Sequence, residues 1–155
     1  MDLSDLLKPE AVLPSLGAQS KKQALHEVCA AAARQTGLGE REVLETILQR
    51  ERLGSTGVGQ GVAIPHGKLR NLDTLVGVFA RLSHPIDFDS LDDQPVDLVF
   101  ALLAPEGAGA DHLKALARIA RVLRDPQVAQ RLRVAADAKE LYAVLTAPAE
   151  ASHAA

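Results

Sequence analysis

Residues Arg50 to Leu69 read R-E-R-L-G-S-T-G-V-G-Q-G-V-A-I-P-H-G-K-L. Four glycines (Gly54, Gly57, Gly59 and Gly61) fall within eight residues, a density that lets a backbone turn tightly or approach another molecule closely. The apolar run Val62-Ala63-Ile64 then reads as a short buried strand, stopped by Pro65, which has no N–H for a sheet ladder. His66 follows directly, between that proline and Gly67. The pattern predicts an imidazole held at a strand end with little bulk around it. A single histidine is more often structural, and the stretch lacks the Gly-Lys-Ser/Thr ending of a nucleotide-binding P-loop.

Working outward, the elements on either side alternate between helical and strand patterns. Upstream, Ala11 to Leu16 reads as a strand, with Pro14 marking an edge position, and residues 1–10 as a loose lead-in or a single helical turn. Ser20 and Gln23 form a capping box opening a helix with Leu25, Val28, Cys29 and Ala32 on one face and Gly37 at its end. A second helix, Glu40 to Leu53, buries Val43, Leu44, Ile47 and Leu48 and stops at Gly54. Arg50 and Arg52 lie in its last turn, where cations interact favourably with the helix dipole. The same helix carries Arg50 straight into the glycine stretch before His66.

Downstream, Leu75–Leu82 and Val96–Ala104 are near-continuous apolar runs, the signature of central strands covered on both faces. The Asp- and Pro-rich segment between them reads as irregular or edge structure and lacks the spacing of a calcium loop. After a flexible loop, Asp111 reads as the N-cap of a helix with Leu113, Leu116, Ala117, Ala120 and Leu123 on its apolar face. Asp125-Pro126 closes it and opens another, and Asp137 with Glu140 opens a last helix carrying Leu141, Val144 and Leu145. His112 would sit in a helix's first turn, just past a buried strand, where the dipole disfavours a charged imidazole. Ligands in open α/β sheets collect at the C-terminal ends of strands, so His66 and His112 can lie side by side. By pattern alone His112 equally well fills a cap position.

At 155 residues the chain suits one domain, spanning residues 1–147, with a small, polar tail over 148–155 expected to be disordered. A formal charge of −3 leaves no basic stripe for nucleic acid. One cysteine, Cys29, excludes an internal disulfide and reads as helix packing in a reducing, cytoplasmic setting. No apolar run approaches the ~20 residues of a membrane span, and the acidic start Met1-Asp2-Leu3-Ser4-Asp5 does not read as a signal peptide.

The segment R-E-R-x-G-S-T-G-x-G-x-G-x-A-I-P-H-G-K resembles the active-site segment of the phosphotransferase-system enzyme IIA proteins of the fructose/mannitol type, and looks closest to that family's nitrogen-regulatory branch. The resemblance spans about residues 3 to 147 and implies an α/β fold with a mixed sheet of about five strands flanked by helices. It implies that His66 is the phosphorylated residue. His112, in a matching His-Leu at a helix start, would be the second active-site histidine, and Arg50, sixteen residues before His66, the active-site arginine. A phosphoryl group brings roughly −1.5 to −2 charges and calls for donors: His112, Arg50, the hydroxyls of Ser55 and Thr56, and backbone N–H groups of the stretch, those of Gly57, Gly59 and Gly61 among them. No cofactor, metal or nucleotide site is expected, so the phosphoryl donor would be another phosphoprotein, an HPr-like carrier docked over the glycine stretch beside Val58, Val62 and Lys68. Gln60 departs from mannitol-type relatives, which carry glutamate there. That favours a regulatory phosphoryl carrier acting on transporters or sensor kinases; a IIA component feeding a fructose-type permease through a IIB domain is the alternative. A module with structural or metal-bound histidines is a third reading, but neither histidine has further ligands nearby at metal spacing.

Overall fold

In a computed structural model, residues 3–147 are described, and the expected tail from residue 148 lies outside them. In chain order the elements are β1 (Val12–Leu16), α1 (Lys21–Thr36), α2 (Glu40–Arg52), β2 (Gly57–Gly59), β3 (Val62–Ala63), β4 (His66–Leu69), β5 (Val76–Ile86), β6 (Val96–Pro105), α3 (Ala110–Arg124), α4 (Pro126–Val134) and α5 (Ala138–Leu145). They form one mixed sheet in the order β1-β5-β6-β3-β2, with β4 also on β6. The two apolar runs take the central places: β5 and β6 pair antiparallel, with Phe79 opposite Phe100, and β6 is almost wholly buried. β1 is an edge strand parallel to β5, as Pro14 predicts.

The sheet has six strands where the sequence suggests about five, and the surplus comes from Pro65. β3 lies parallel to β6 with Val62 opposite Leu98, and β4 lies parallel to β6 with His66 opposite Leu102. Both pairings keep an offset of 36 residues. They are therefore one interrupted strand in one register, broken where proline removes a ladder N–H; Pro65 still accepts from the Leu102 N–H at 2.9 Å. His66 thus opens a resumed strand instead of standing beyond the end of one. β2 folds back antiparallel on β3, so the glycine stretch is a hairpin at the sheet edge and not an open loop. Gln60 and Gly61, at its turn, both have positive φ, as the tight turn of a two-residue hairpin requires.

One further expectation is decided between its alternatives and two are corrected. The lead-in is not loose but turns, with the Leu6 and Leu7 N–H groups on the Leu3 carbonyl and a 3-10 turn over Pro9–Ala11; Leu3, Leu6 and Leu7 are core residues, and the Leu6 carbonyl accepts from Gly77 at 2.7 Å. β5 continues through Ser83-His84-Pro85 to Ile86, with its register on β6 shifted between Arg81 and Ile86; Pro85 is tolerated because it lies in that irregularity. In α3 the buried residues are His112, Ala115, Ile119 and Leu123; of the expected face Leu123 is buried and Leu116 and Ala120 are partly buried against the core, while Leu113 is 68% exposed and Ala117 is exposed. Both registers satisfy helical spacing, and the one adopted turns His112 inward. Capping elsewhere follows the sequence: Ser20, Asp125 and Asp137 each accept N–H bonds from the first turns of α1, α4 and α5.

The helices cover the sheet unevenly. α1 packs on α2 and β5, α5 on β1, α3 beside β6, and α2 on β4. The α2–β4 contact brings the C-terminal end of α2 to His66.

Candidate active site

Gly67 sets how close α2 comes to β4. A Cβ there would stand 2.6 Å from Thr46 Cγ2 and 3.6 Å from its backbone, so a side chain would push the helix away. One turn after Thr46, Arg50 leaves the last turn of α2. Its Nη1 donates to the Gly54 carbonyl at 2.8 Å, and its Nε to His66 Nε2 at 3.3 Å. On the other side of the ring, His66 Nδ1 lies 2.8 Å from the Ile64 carbonyl. A carbonyl can only accept, so Nδ1 carries the proton and Nε2 the free lone pair. The two contacts select one tautomer and aim its nucleophilic nitrogen at Arg50.

The second histidine arrives from β6 and the loop after it. Gly109, with φ 56° and ψ −125°, is the N-cap of α3, a conformation open to glycine and strained for other residues. Asp111 is therefore not the cap but a first-turn acid, still well placed against the dipole. His112 follows, 7% exposed, with its ring centroid 5.4 Å from that of His66 and an interplanar angle of 65°. Its Nε2 is buried and finds no hydrogen-bond partner among the described residues. A buried imidazole nitrogen without a partner is costly.

Both imidazoles are held below their ordinary value. For His66 burial is the chief cause, countered by the Ile64 carbonyl, with Arg50 adding to the depression and Glu51 opposing it. For His112 burial again leads, followed by the charges of His66 and Lys68. A histidine whose folded value is depressed is stabilising when neutral. Stability is then complete above the unfolded value of about 6.5 and declines as pH falls below it toward the folded values. Histidine titration by NMR is expected to give midpoints below 6.5 for both rings, with unfolding made easier by acidification from pH 7 to 5. Midpoints at or above 6.5 for both would contradict the burial seen here.

The five supporting residues proposed from sequence behave differently. Ser55 Oγ donates to the Phe88 carbonyl at 2.6 Å and accepts from Gly57 N–H at 3.0 Å. Thr56 Oγ1 donates to the Glu51 carboxylate, which also takes the Thr56 N–H. These donors are spent inside the fold. Gly59 and Gly61 lie at the hairpin turn, where the Gln60 N–H donates to Asp92 and the Gly61 carbonyl accepts from Asp97 and Leu98. Asp97 is five residues along β6 from Leu102, the partner of His66, or roughly 16 Å at the rise of a strand. The Ser55 and Thr56 hydroxyls and the Thr56 and Gly57 N–H groups thus have partners within the fold, while Gly59 and Gly61 shape the hairpin turn. Of the two apolar residues expected beside the glycine stretch, Val62 is fully buried and Val58 is exposed; Leu53, 85% exposed, and Leu113 are further exposed apolar residues, next in sequence to Gly54 and His112.

The sequence marks Gly67 only as a small neighbour of His66, not as the point where α2 approaches, and it gives no sign of Gly109 or Glu51. For the glycines only a knowledge of the packed backbone gives the signal, and Glu51 reads as one more acid on a charged helix.

Comparison with known proteins bears on the family and the fold. Residues 5–147 match the family described as "Phosphoenolpyruvate-dependent sugar phosphotransferase system, EIIA 2". A nitrogen regulatory protein from Bradyrhizobium diazoefficiens is 64% identical over 148 residues, covering 96% of this chain and 97% of that one. One from Escherichia coli is 47% identical over 148 residues, covering 94% and 90%. Among solved structures, the nitrogen regulatory protein IIA-Ntr of Neisseria meningitidis superposes with a TM-score of 0.87 at 36% identity, covering 91% of this chain and 97% of that one. With a family match over nearly its whole described length, this chain belongs to the EIIA 2 family of the phosphoenolpyruvate-dependent phosphotransferase system, and its similar relatives are nitrogen regulatory proteins.

Proposed function

We propose that the protein is a phosphoryl relay that accepts the group on His66 Nε2 from an HPr-like phosphocarrier and regulates transporters or sensor kinases by contact. The observation that carries this reading is the fixed tautomer: Nδ1–H on Ile64 leaves Nε2 as the nucleophile, beside a guanidinium and a second imidazole. In the transfer step the Nε2 lone pair forms an N–P bond as the donor's N–P bond breaks, and the donor imidazole keeps the released electron pair. Arg50 Nε, only 3.3 Å from that lone pair, then turns to a phosphoryl oxygen. His112 Nε2 supplies a second contact. The Nδ1 proton stays on the ring against Ile64, which keeps the N–P bond ready to be passed on. Leu53 and Leu113 give a transient partner apolar footing around the ring. No helix among the described residues is long and apolar enough to cross a membrane, and the working compartment in this reading is the cytoplasm.

The regulatory role is favoured over sugar transport by Gln60 and by the nitrogen regulatory relatives. The test is incubation with a phosphorylated HPr-like carrier. Acid-labile phosphate is expected on the peptide bearing His66, and binding to a transporter or sensor kinase is expected to differ between the phosphorylated and free forms. Absence of phosphate on His66 overturns the relay. Rapid discharge to a fructose-type IIB domain, with no such binding, replaces regulation by sugar transport.

A further inference from the structure

Glu51 is the one buried carboxylate among the described residues, at 9% exposure, and it is adjacent in sequence to Arg50. The last turn of α2 thus sends a cation toward His66 and an anion into the protein. A buried charge is tolerated only with partners, and Glu51 has three donors. Thr56 Oγ1–H and the Thr56 N–H both bind it, the latter at 3.2 Å, and Lys21 Nζ lies 2.9 Å from Oε2. Lys21 is itself held, 4.9 Å from the Phe88 ring centroid and 3.7 Å from Asp89.

From the segment Gly54–Thr56 two lines of contacts run to the same imidazole. On one, the Thr56 carbonyl accepts from the Ile64 N–H at 3.0 Å, and the Ile64 carbonyl accepts from His66 Nδ1 at 2.8 Å. On the other, two residues before Thr56, the Gly54 carbonyl accepts from Arg50 Nη1 at 2.8 Å, and Arg50 Nε reaches His66 Nε2. One ring nitrogen is set by each line, and both lines begin where Glu51 clamps Thr56 to the end of α2.

We propose that Glu51, clamped by Lys21 and Thr56, is the positioning residue that fixes the tautomer and aim of His66. It touches neither the imidazole nor the phosphoryl group; it acts through Thr56, Ile64, Gly54 and Arg50. The Ser-Thr pair is thereby explained without assigning it to phosphate: Thr56 grips Glu51, and Ser55 fastens the same segment to the Phe88 carbonyl. The inference deepens the reading of His66 as phosphoryl acceptor and rests on it only for the rate measurements below. Electrostatics work in the same direction. Of the charged neighbours of His66, Arg50 depresses its protonation and Glu51 opposes that, so an anion behind the ring keeps Nε2 basic.

The test uses the full chain with Glu51→Gln, Thr56→Val and Thr56→Ser. Glu51→Gln keeps the shape and an acceptor for the Thr56 N–H while removing the charge; Thr56→Ser keeps the hydroxyl that Thr56→Val deletes. Nitrogen-15 NMR of the imidazoles reads tautomer and titration midpoint without any phosphoryl donor. Glu51→Gln is expected to lower the His66 midpoint, and Thr56→Val to mix the two neutral tautomers. Each is expected to slow phosphoryl acceptance from the carrier about 10-fold, the size usual for a group that orients a reacting imidazole from behind, with Thr56→Ser returning toward the parent. Parental tautomer, midpoint and rate in both Glu51→Gln and Thr56→Val overturn the proposal. Should Glu51→Gln fail to fold, the Thr56→Val and Thr56→Ser pair decides alone. A parent that takes no phosphate on His66 sinks the relay reading instead, while the NMR comparison still decides positioning.

Discussion

His66→Ala is expected to take up no acid-labile phosphate from the phosphorylated carrier, while remaining folded. Loss of the nucleophile leaves nothing to replace it. His112 Nε2 is buried and finds no partner among the described residues, whereas Arg50 and the Ile64 carbonyl fix the tautomer of His66. The cost to stability is small by comparison. His66 is half-buried at the start of β4 and gives up two hydrogen bonds, one of them long, so a loss of about 1–2 kcal/mol is expected. Thermal unfolding of the variant, followed beside its phosphorylation by mass spectrometry, separates the two effects. Phosphate at parental yield in a folded His66→Ala protein would move the acceptor elsewhere. Collapse of the fold would instead mean that the imidazole holds β4 to β6.

Much of this arrangement is legible in the chain itself, and the reasons for the rest are specific. Strands β5 and β6 declare themselves because near-continuous apolar runs of eight and nine residues, Leu75–Leu82 and Val96–Ala104, suit strands covered on both faces. Ser20, Asp125 and Asp137 declare their helices because a cap is a local interaction, settled within four residues. What stayed hidden depends on residues far apart in sequence. Pro65 reads as a stop, but whether the strand resumes in register is decided by β6, whose N–H at Leu102 meets the proline carbonyl. α3 offers two apolar faces of equal periodicity, and the inward turn of His112 selects one. Ser55 and Thr56, polar residues in a glycine-rich stretch before a histidine, look like ligand donors. Their hydroxyls are taken by the Phe88 carbonyl and Glu51, partners that no local pattern reveals. His66, His112 and Arg50, by contrast, were named from sequence and are found within one cluster.

That cluster gives Arg50 and His112 separable roles. Arg50→Ala and His112→Ala are each expected to leave His66 able to accept phosphate but to slow transfer by about 10²–10³, the usual consequence of deleting one preorganised donor to developing charge. For Arg50 the titration of His66 distinguishes this from a change in basicity. The guanidinium depresses the His66 value, so its removal raises the NMR midpoint and makes Nε2 a more basic nucleophile. If basicity governed the rate, Arg50→Ala would be faster than the parent; if charge stabilisation governs, it is slower in spite of the higher midpoint. His112→Ala leaves Arg50 and the Ile64 contact intact, so the His66 tautomer is expected to persist while the rate falls. Its stability should change little or improve at acidic pH, because a buried ring with an unpartnered nitrogen and a depressed value is lost. Single-turnover transfer measured against carrier concentration reads these rates directly. Rates within a factor of about two of the parent in both variants would reduce the pair to structural residues and leave the phosphoryl charge to be met by the partner protein.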